Sequence, residues 1–173
     1  MDTSDLQALI RNVPNFPQNG IDFKDITPLL ADETAFSRMI DLIVGHYGQG
    51  SVDLVVGIEA RGFILASPVA YHFGAGFVPV RKSGKLPWAV ESESYALEYG
   101  TATLEIHTDA IKLGDRVLIV DDVLATGGTA AAAAALVERL GGTVSGISCL
   151  LELAALEGRG RIGGYDFFSL ISY

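Results

Sequence analysis

"VLIVDDVLATGGT", residues 117–129, sets four apolar residues against two adjacent aspartates and a Thr-Gly-Gly-Thr turn, directly before six alanines at 130–135. The apolar residues read as a buried strand and the alanines as a strong helix former, so the stretch predicts a strand–turn–helix unit. In an open α/β sheet the ligand crevice lies beyond the carboxyl ends of the strands, which is where Asp121 and Asp122 fall. Neighbouring strand residues point to opposite faces, so the pair is expected to serve one ligand by the strand ending between them. Ala125, Thr126, Gly127, Gly128 and Thr129 then bring backbone amides and a helix N-terminus around an anion.

Working outward, the same alternation of strands and helices recurs. Residues 3–12 read as a helix with Ser4 as N-cap, and "VPNFPQNG" breaks it with two prolines and an Asn-Gly turn. "TAFSRMIDLIVGHY" at 34–47 has helical apolar spacing and leads into the β-branched run "VDLVVG". "FILASPVAYHF" reads as the next helix and "GFVPV" as the next strand. "RVLIV" leads into the helix "TAAAAAALVERLG", and "TVSGISCLLEL" and "YDFFSLISY" supply the last strands. Strands alternating with helices predict an α/β fold with a central, mostly parallel sheet flanked by helices. Arg81–Ala96, "RKSGKLPWAVESESYA", departs from this rhythm: it is polar and long for a connection, and is expected to be a lid. "YALEYGTATLEIH" after it alternates as two antiparallel strands joined near Gly100, a flap.

Composition bounds the function. At 173 residues with 49% apolar content and 20 glycines, the chain suits one globular domain. A net charge of -9 argues against a nucleic-acid partner, whose phosphates need clustered Lys and Arg. The single cysteine, Cys149, lies in an apolar strand and reads as structural, and His46, His72 and His107 have no ligand spacing. The opening residues lack a basic region ahead of an apolar core, and no apolar run reaches the ~20 residues that span a bilayer. A cytoplasmic protein without a membrane partner is expected.

The turn after the two aspartates contains no lysine, so it cannot be the loop that grips a nucleoside triphosphate. "GAGFVP" at 74–79 precedes a strand instead of following one and lacks the third glycine, which excludes a dinucleotide fingerprint there. What remains is a terminal phosphate held by amides and hydroxyls beside two carboxylates that accept hydrogen bonds from hydroxyl groups. Ribose 5-phosphate satisfies both; the bland alternative is that the aspartates merely cap the helix.

The full string resembles the phosphoribosyl-pyrophosphate motif of the type I phosphoribosyltransferases. "FPQNGIDFKDITPLL" at 16–30, "GIEARGF" at 57–63, "GFVPVRKSGKLP" at 76–87 and "YALEYGTATLEIH" at 95–107 are similar to adenine phosphoribosyltransferases, in that family's order. The resemblance implies the type I fold in one domain over 1–173, with an N-terminal hood at about 1–33 and a flexible antiparallel lid at about 81–100. It also implies Mg2+-dependent transfer of ribose 5-phosphate from phosphoribosyl pyrophosphate to N9 of adenine, giving AMP and pyrophosphate. Homodimers are common in the family.

The site residues follow from the matched motifs. Asp121 and Asp122 face the ribose, Ala125–Thr129 the phosphate, and Glu59, Ala60 and Arg61 the diphosphate. Arg81, Lys82 and Lys85 put three of only 12 basic residues into five positions, which in an acidic chain points to the same anion. Glu98, in "LEYG", matches the residue credited with proton transfer on the purine. Asp22, Phe23 and Lys24 correspond to the base pocket, where Phe23 stacks on a purine or is ordinary core. Asn19 and Lys24 depart from the family's usual proline and arginine. Mg2+ is expected to be held chiefly by ligand oxygens, not by a protein cage. A transferase for another base, or a sensing regulator, are the competing readings.

Overall fold

The computed structural model describes residues 2–97 and 100–173. It divides into two compact units, Met1–Leu42 and Ile43–Tyr173, with the boundary inside helix α3 (Glu33–Tyr47).

In the N-terminal unit, helix α1 (Thr3–Ala8) is started by Asp2, whose carboxylate accepts from the Ser4 and Asp5 amides while Asp5 reaches back to the Asp2 amide. The cap is therefore Asp2, two residues earlier than Ser4, and the helix is shorter than residues 3–12. Val13 precedes Pro14, which disfavours helical backbone there. Residues 11–14 form β1 (Arg11–Pro14), paired antiparallel with β2 (Asp22–Asp25), Pro14 opposite Asp22. Helix α2 (Thr27–Ala31) follows.

The larger unit holds a seven-stranded sheet of β3 (Leu54–Ile58), β4 (Gly76–Lys82), β5 (Val90–Ala96), β6 (Thr101–His107), β7 (Arg116–Leu124), β8 (Thr143–Glu152) and β9 (Phe167–Ser172). The order is β5-β6-β4-β3-β7-β8-β9. The five strands from β4 to β9 run parallel, and the β5–β6 hairpin joins antiparallel at the β4 edge. This is the mixed α/β sheet that the alternating pattern predicts.

Helix α5 (Gly128–Arg139) buries its alanines in one core cluster with Val56, Ile58, Val117, Ile119, Ile147 and Cys149. Alternate residues Val55, Leu118 and Val120 are left for the other face, and helix α4 (Gly62–Phe73) packs on β3 and β7. Fully buried Cys149 has its thiol pKa pushed up, first by burial and then by the Asp121 charge, as suits a structural cysteine.

Two strand boundaries differ from the expected ones. β7 does not stop between the aspartates: its pairing with β3 ends at Gly57–Val120, but its pairing with β8 continues to Leu124–Glu152. Part of 81–96 is strand as well, since β4 runs through Lys82 and β5 begins at Val90. The "VESESYA" run shows why: Glu91, Glu93 and Tyr95 are half-buried while Ser92, Ser94 and Ala96 are exposed, the period of a strand covered on one face only.

Candidate active site

One cavity of about 410 Å³ opens at the carboxyl ends of β3 and β7. Its lining brings together Glu59, Ala60, Arg61, Lys82, Asp121, Asp122, Ala125, Thr126, Gly127 and Thr129, residues drawn from three separated stretches of the chain. Gly128 stands beside it as the first residue of α5.

Asp121 and Asp122 have unlike surroundings. The Asp122 carboxylate is buried and accepts from Arg61 Nε at 2.6 Å. Asp121 Oδ1 accepts the Asp122 amide at 2.9 Å. Burial, and then the neighbouring Asp122 charge, push the Asp121 pKa well above the usual carboxylate range, with Arg61 opposing. Helix α4 starts against this pair: a side-chain carbon on Gly62 would lie 2.8 Å from Asp121 Oδ1 and 3.0 Å from the Val120 carbonyl oxygen, so only glycine fits. β7 still pairs with β8 here but no longer with β3, so both carboxylates reach one cavity from an edge that is open on one side.

The glycine-rich loop is shaped from behind. Gly127 takes φ +81°, and a side-chain carbon there would lie 2.3 Å from the Gly158 carbonyl oxygen; one on Gly158 would lie 2.2 Å from the Ala125 carbonyl oxygen. Gly158 opens the 3-10 turn Gly158–Arg161, anchored by Arg159, which donates to Glu152 at 2.6 and 2.7 Å. Sequence reading missed this segment, because nothing in "GRGR" by itself ties it to a loop some 30 residues earlier.

The cationic end of β4 and the turn after it are folded onto two carboxylates. Glu59 accepts from Arg81 Nε at 3.3 Å, from the Lys82 amide at 3.1 Å and from Lys85 Nζ. These contacts, the Lys85 ammonium foremost, lower the Glu59 pKa to about 2. Buried Glu105 accepts from Ser83 Oγ and from the Gly84 amide at 2.9 Å. Arg81 and Lys85 therefore reach the site through Glu59, while Lys82 lines the cavity itself. Tyr95 and Leu104 also line it and were not read from sequence.

Asp22, Phe23 and Lys24 lie on β2 of the N-terminal unit. The Phe23 ring meets Phe16 edge-on at 5.3 Å and Lys24 Nζ donates to Asn12 Oδ1 at 3.0 Å. Glu98 lies outside the described residues. Among the described residues no group of three His, Cys, Asp or Glu is placed to hold a metal ion, and no helix is long and apolar enough to cross a membrane.

A family profile described as "Phosphoribosyl transferase domain" matches residues 25–171. An adenine phosphoribosyltransferase of Acidothermus cellulolyticus is 61% identical over 155 residues, covering 90% of this chain and 88% of the relative. The crystal structure of the adenine phosphoribosyltransferase from Thermoanaerobacter pseudethanolicus is 51% identical with a TM-score of 0.96, covering 99% of both chains. The Saccharomyces cerevisiae enzyme, solved with adenine and an iminoaltritol bisphosphate, is 38% identical with a TM-score of 0.91, covering 97% of both.

Proposed function

This chain belongs to the adenine phosphoribosyltransferases, and from that premise we propose how it transfers ribose 5-phosphate from phosphoribosyl pyrophosphate to N9 of adenine, releasing AMP and pyrophosphate. The observation that carries the reading is one cavity in which an aspartate pair, a glycine-rich loop and the cations Arg61 and Lys82 share the lining.

Breaking the bond from C1 to pyrophosphate builds positive charge on the ribose and negative charge on the leaving group, so the site must stabilise both. Asp121 and Asp122 take the ribose hydroxyls and the developing cation. The amides of Ala125–Thr129, with the threonine hydroxyls and the start of α5, take the 5-phosphate. Glu59, Ala60 and Arg61, with Arg81, Lys82 and Lys85, form the diphosphate side; there Arg81 and Lys85 exchange Glu59 for the ligand. Closure of the lid at about 81–100 excludes the water that competes with adenine for the ribosyl cation. Glu98 takes the proton released from the purine. Asp22, Phe23 and Lys24 hold the base, Phe23 by stacking and its neighbours through backbone groups; with backbone contacts the Asn19 and Lys24 departures change little, whereas a side-chain contact would alter base affinity.

The cavity offers oxygen donors, the set that Mg2+ favours. Asp121 and Asp122 would border the ion, whose main ligands are oxygens of the ribosyl donor, and when bound it neutralises diphosphate charge. We read residues 1–173 as one phosphoribosyltransferase domain with a hood at about 1–33, acting as a cytoplasmic homodimer without nucleic-acid or membrane partners.

The test supplies phosphoribosyl pyrophosphate and magnesium with each base singly and measures nucleotide and pyrophosphate. AMP from adenine alone is expected; product from hypoxanthine or guanine would move the base assignment, and no product with any base would point to a sensing regulator. In the same assay Glu98→Gln should lower kcat by roughly 10²–10⁴-fold. Turnover close to that of the unsubstituted enzyme would remove Glu98 from the proton-transfer role.

A further inference from the structure

Strand β5 reaches the phosphate loop from outside it. Its covered side, Glu91, Glu93 and Tyr95, lies on helix α5. Arg139, the last residue of α5, donates to Glu91 at 3.0 Å, to the Ser92 carbonyl at 2.8 Å and to Glu93. Near the first turn of the helix, Thr129 Oγ1 donates to the Tyr95 hydroxyl at 3.0 Å. The strand is thus tied to α5 at both ends, and the tie at the phosphate loop is made by a phenol that lines the same cavity as Asp121, Asp122 and Gly127.

Proton counting gives this contact a consequence. Two hydroxyls carry two protons and their mutual hydrogen bond uses one. With Thr129 as the donor, the phenolic proton of Tyr95 remains for another acceptor. The ionised oxygens of a phosphate ester accept, and such charge-assisted bonds are stronger than neutral ones.

We propose that Tyr95 is a further substrate-binding residue, which together with Thr129 forms a hydroxyl pair on the cavity wall that donates one hydrogen bond to the phosphate of the ribosyl ligand. The assignment rests on reading the loop at 125–129 as the ribose 5-phosphate site, and it makes β5 part of phosphate recognition.

Calorimetric titration of Tyr95→Phe, Thr129→Val and the double variant with AMP and with adenosine tests it, because only AMP carries the phosphate. Tyr95→Phe should weaken AMP by about tenfold and leave adenosine within about twofold, and the two substitutions should be non-additive on AMP. The AMP-to-adenosine ratio does not depend on the fraction of folded protein, so it decides the matter even if a variant is less stable. A ratio unchanged by Tyr95→Phe alone, or additive losses, overturns the role of Tyr95 and leaves the loop assignment standing. A ratio unchanged by Thr129→Val as well overturns the ribose 5-phosphate reading of the loop, and the Tyr95 assignment with it.

Discussion

Asp121 and Asp122 are neighbours in sequence but not in electrostatics. Arg61 supports Asp122 at 2.6 Å, whereas Asp121 carries the burial penalty and the repulsion of its neighbour. A carboxyl whose folded pKa lies above its unfolded value gives stability at low pH that is lost as pH rises through the folded pKa. The ionised form of Asp121 therefore costs stability. Asp121→Asn keeps an oxygen for the Asp122 amide and removes the charge. It should raise the melting temperature at pH 7–8, by about 2–4 °C per kcal/mol of relieved repulsion, narrow that gain as pH falls through the Asp121 pKa, and lower kcat. An unchanged melting temperature would contradict the buried-charge account. The pair was legible in the sequence as a motif, but the difference between its members was not, because Arg61 lies 61 positions before Asp122 and only the fold brings them together.

Among the elements, strands flanked by turn residues and the alanine-rich helix were legible because their apolar periods are strong: β7, α5 and β8 lie where "RVLIV", the alanine run and "TVSGISCLLEL" place them. The antiparallel pair read in "YALEYGTATLEIH" is β5–β6, but the extension of β5 back to Val90 was not legible, since "VESESYA" is polar and buries only alternate residues, against α5. The 3-10 turn at Gly158–Arg161 was hidden for a similar reason: its role is a backbone contact. Gly158→Ala would put a carbon 2.2 Å from the Ala125 carbonyl oxygen, backbone that can move only by shifting the loop. We expect a loss of about 1–3 kcal/mol of stability, the usual cost of overpacking, and a several-fold rise in the KM for phosphoribosyl pyrophosphate with the KM for adenine little changed. Equal rises in both would show general loosening instead of a shaped phosphate loop.

Over the whole molecule, a net charge of -9 coexists with Arg61, Arg81, Lys82 and Lys85 within one site region. Attraction of an anionic substrate then depends on a local field against an overall negative one, and salt screens it. Raising ionic strength from about 0.05 to 0.5 M, which shortens the Debye length roughly threefold, should raise the KM for phosphoribosyl pyrophosphate several-fold and leave that for adenine nearly constant. A salt-independent KM would mean that hydrogen-bond geometry, not charge, holds the diphosphate.

By itself the sequence determined what local pattern encodes: a parallel α/β core from buried apolar runs, an anion loop from glycines ahead of a helix, and the family from motifs in order. Tertiary structure alone decided which carboxylate meets Arg61, that Glu59 gathers Arg81 and Lys85, that Gly158 backs the loop, and that Tyr95 comes to Thr129. Those pairings join residues from about 20 to 60 positions apart. Period and composition act within one segment, whereas such contacts exist only once sheet order has set which segments are neighbours.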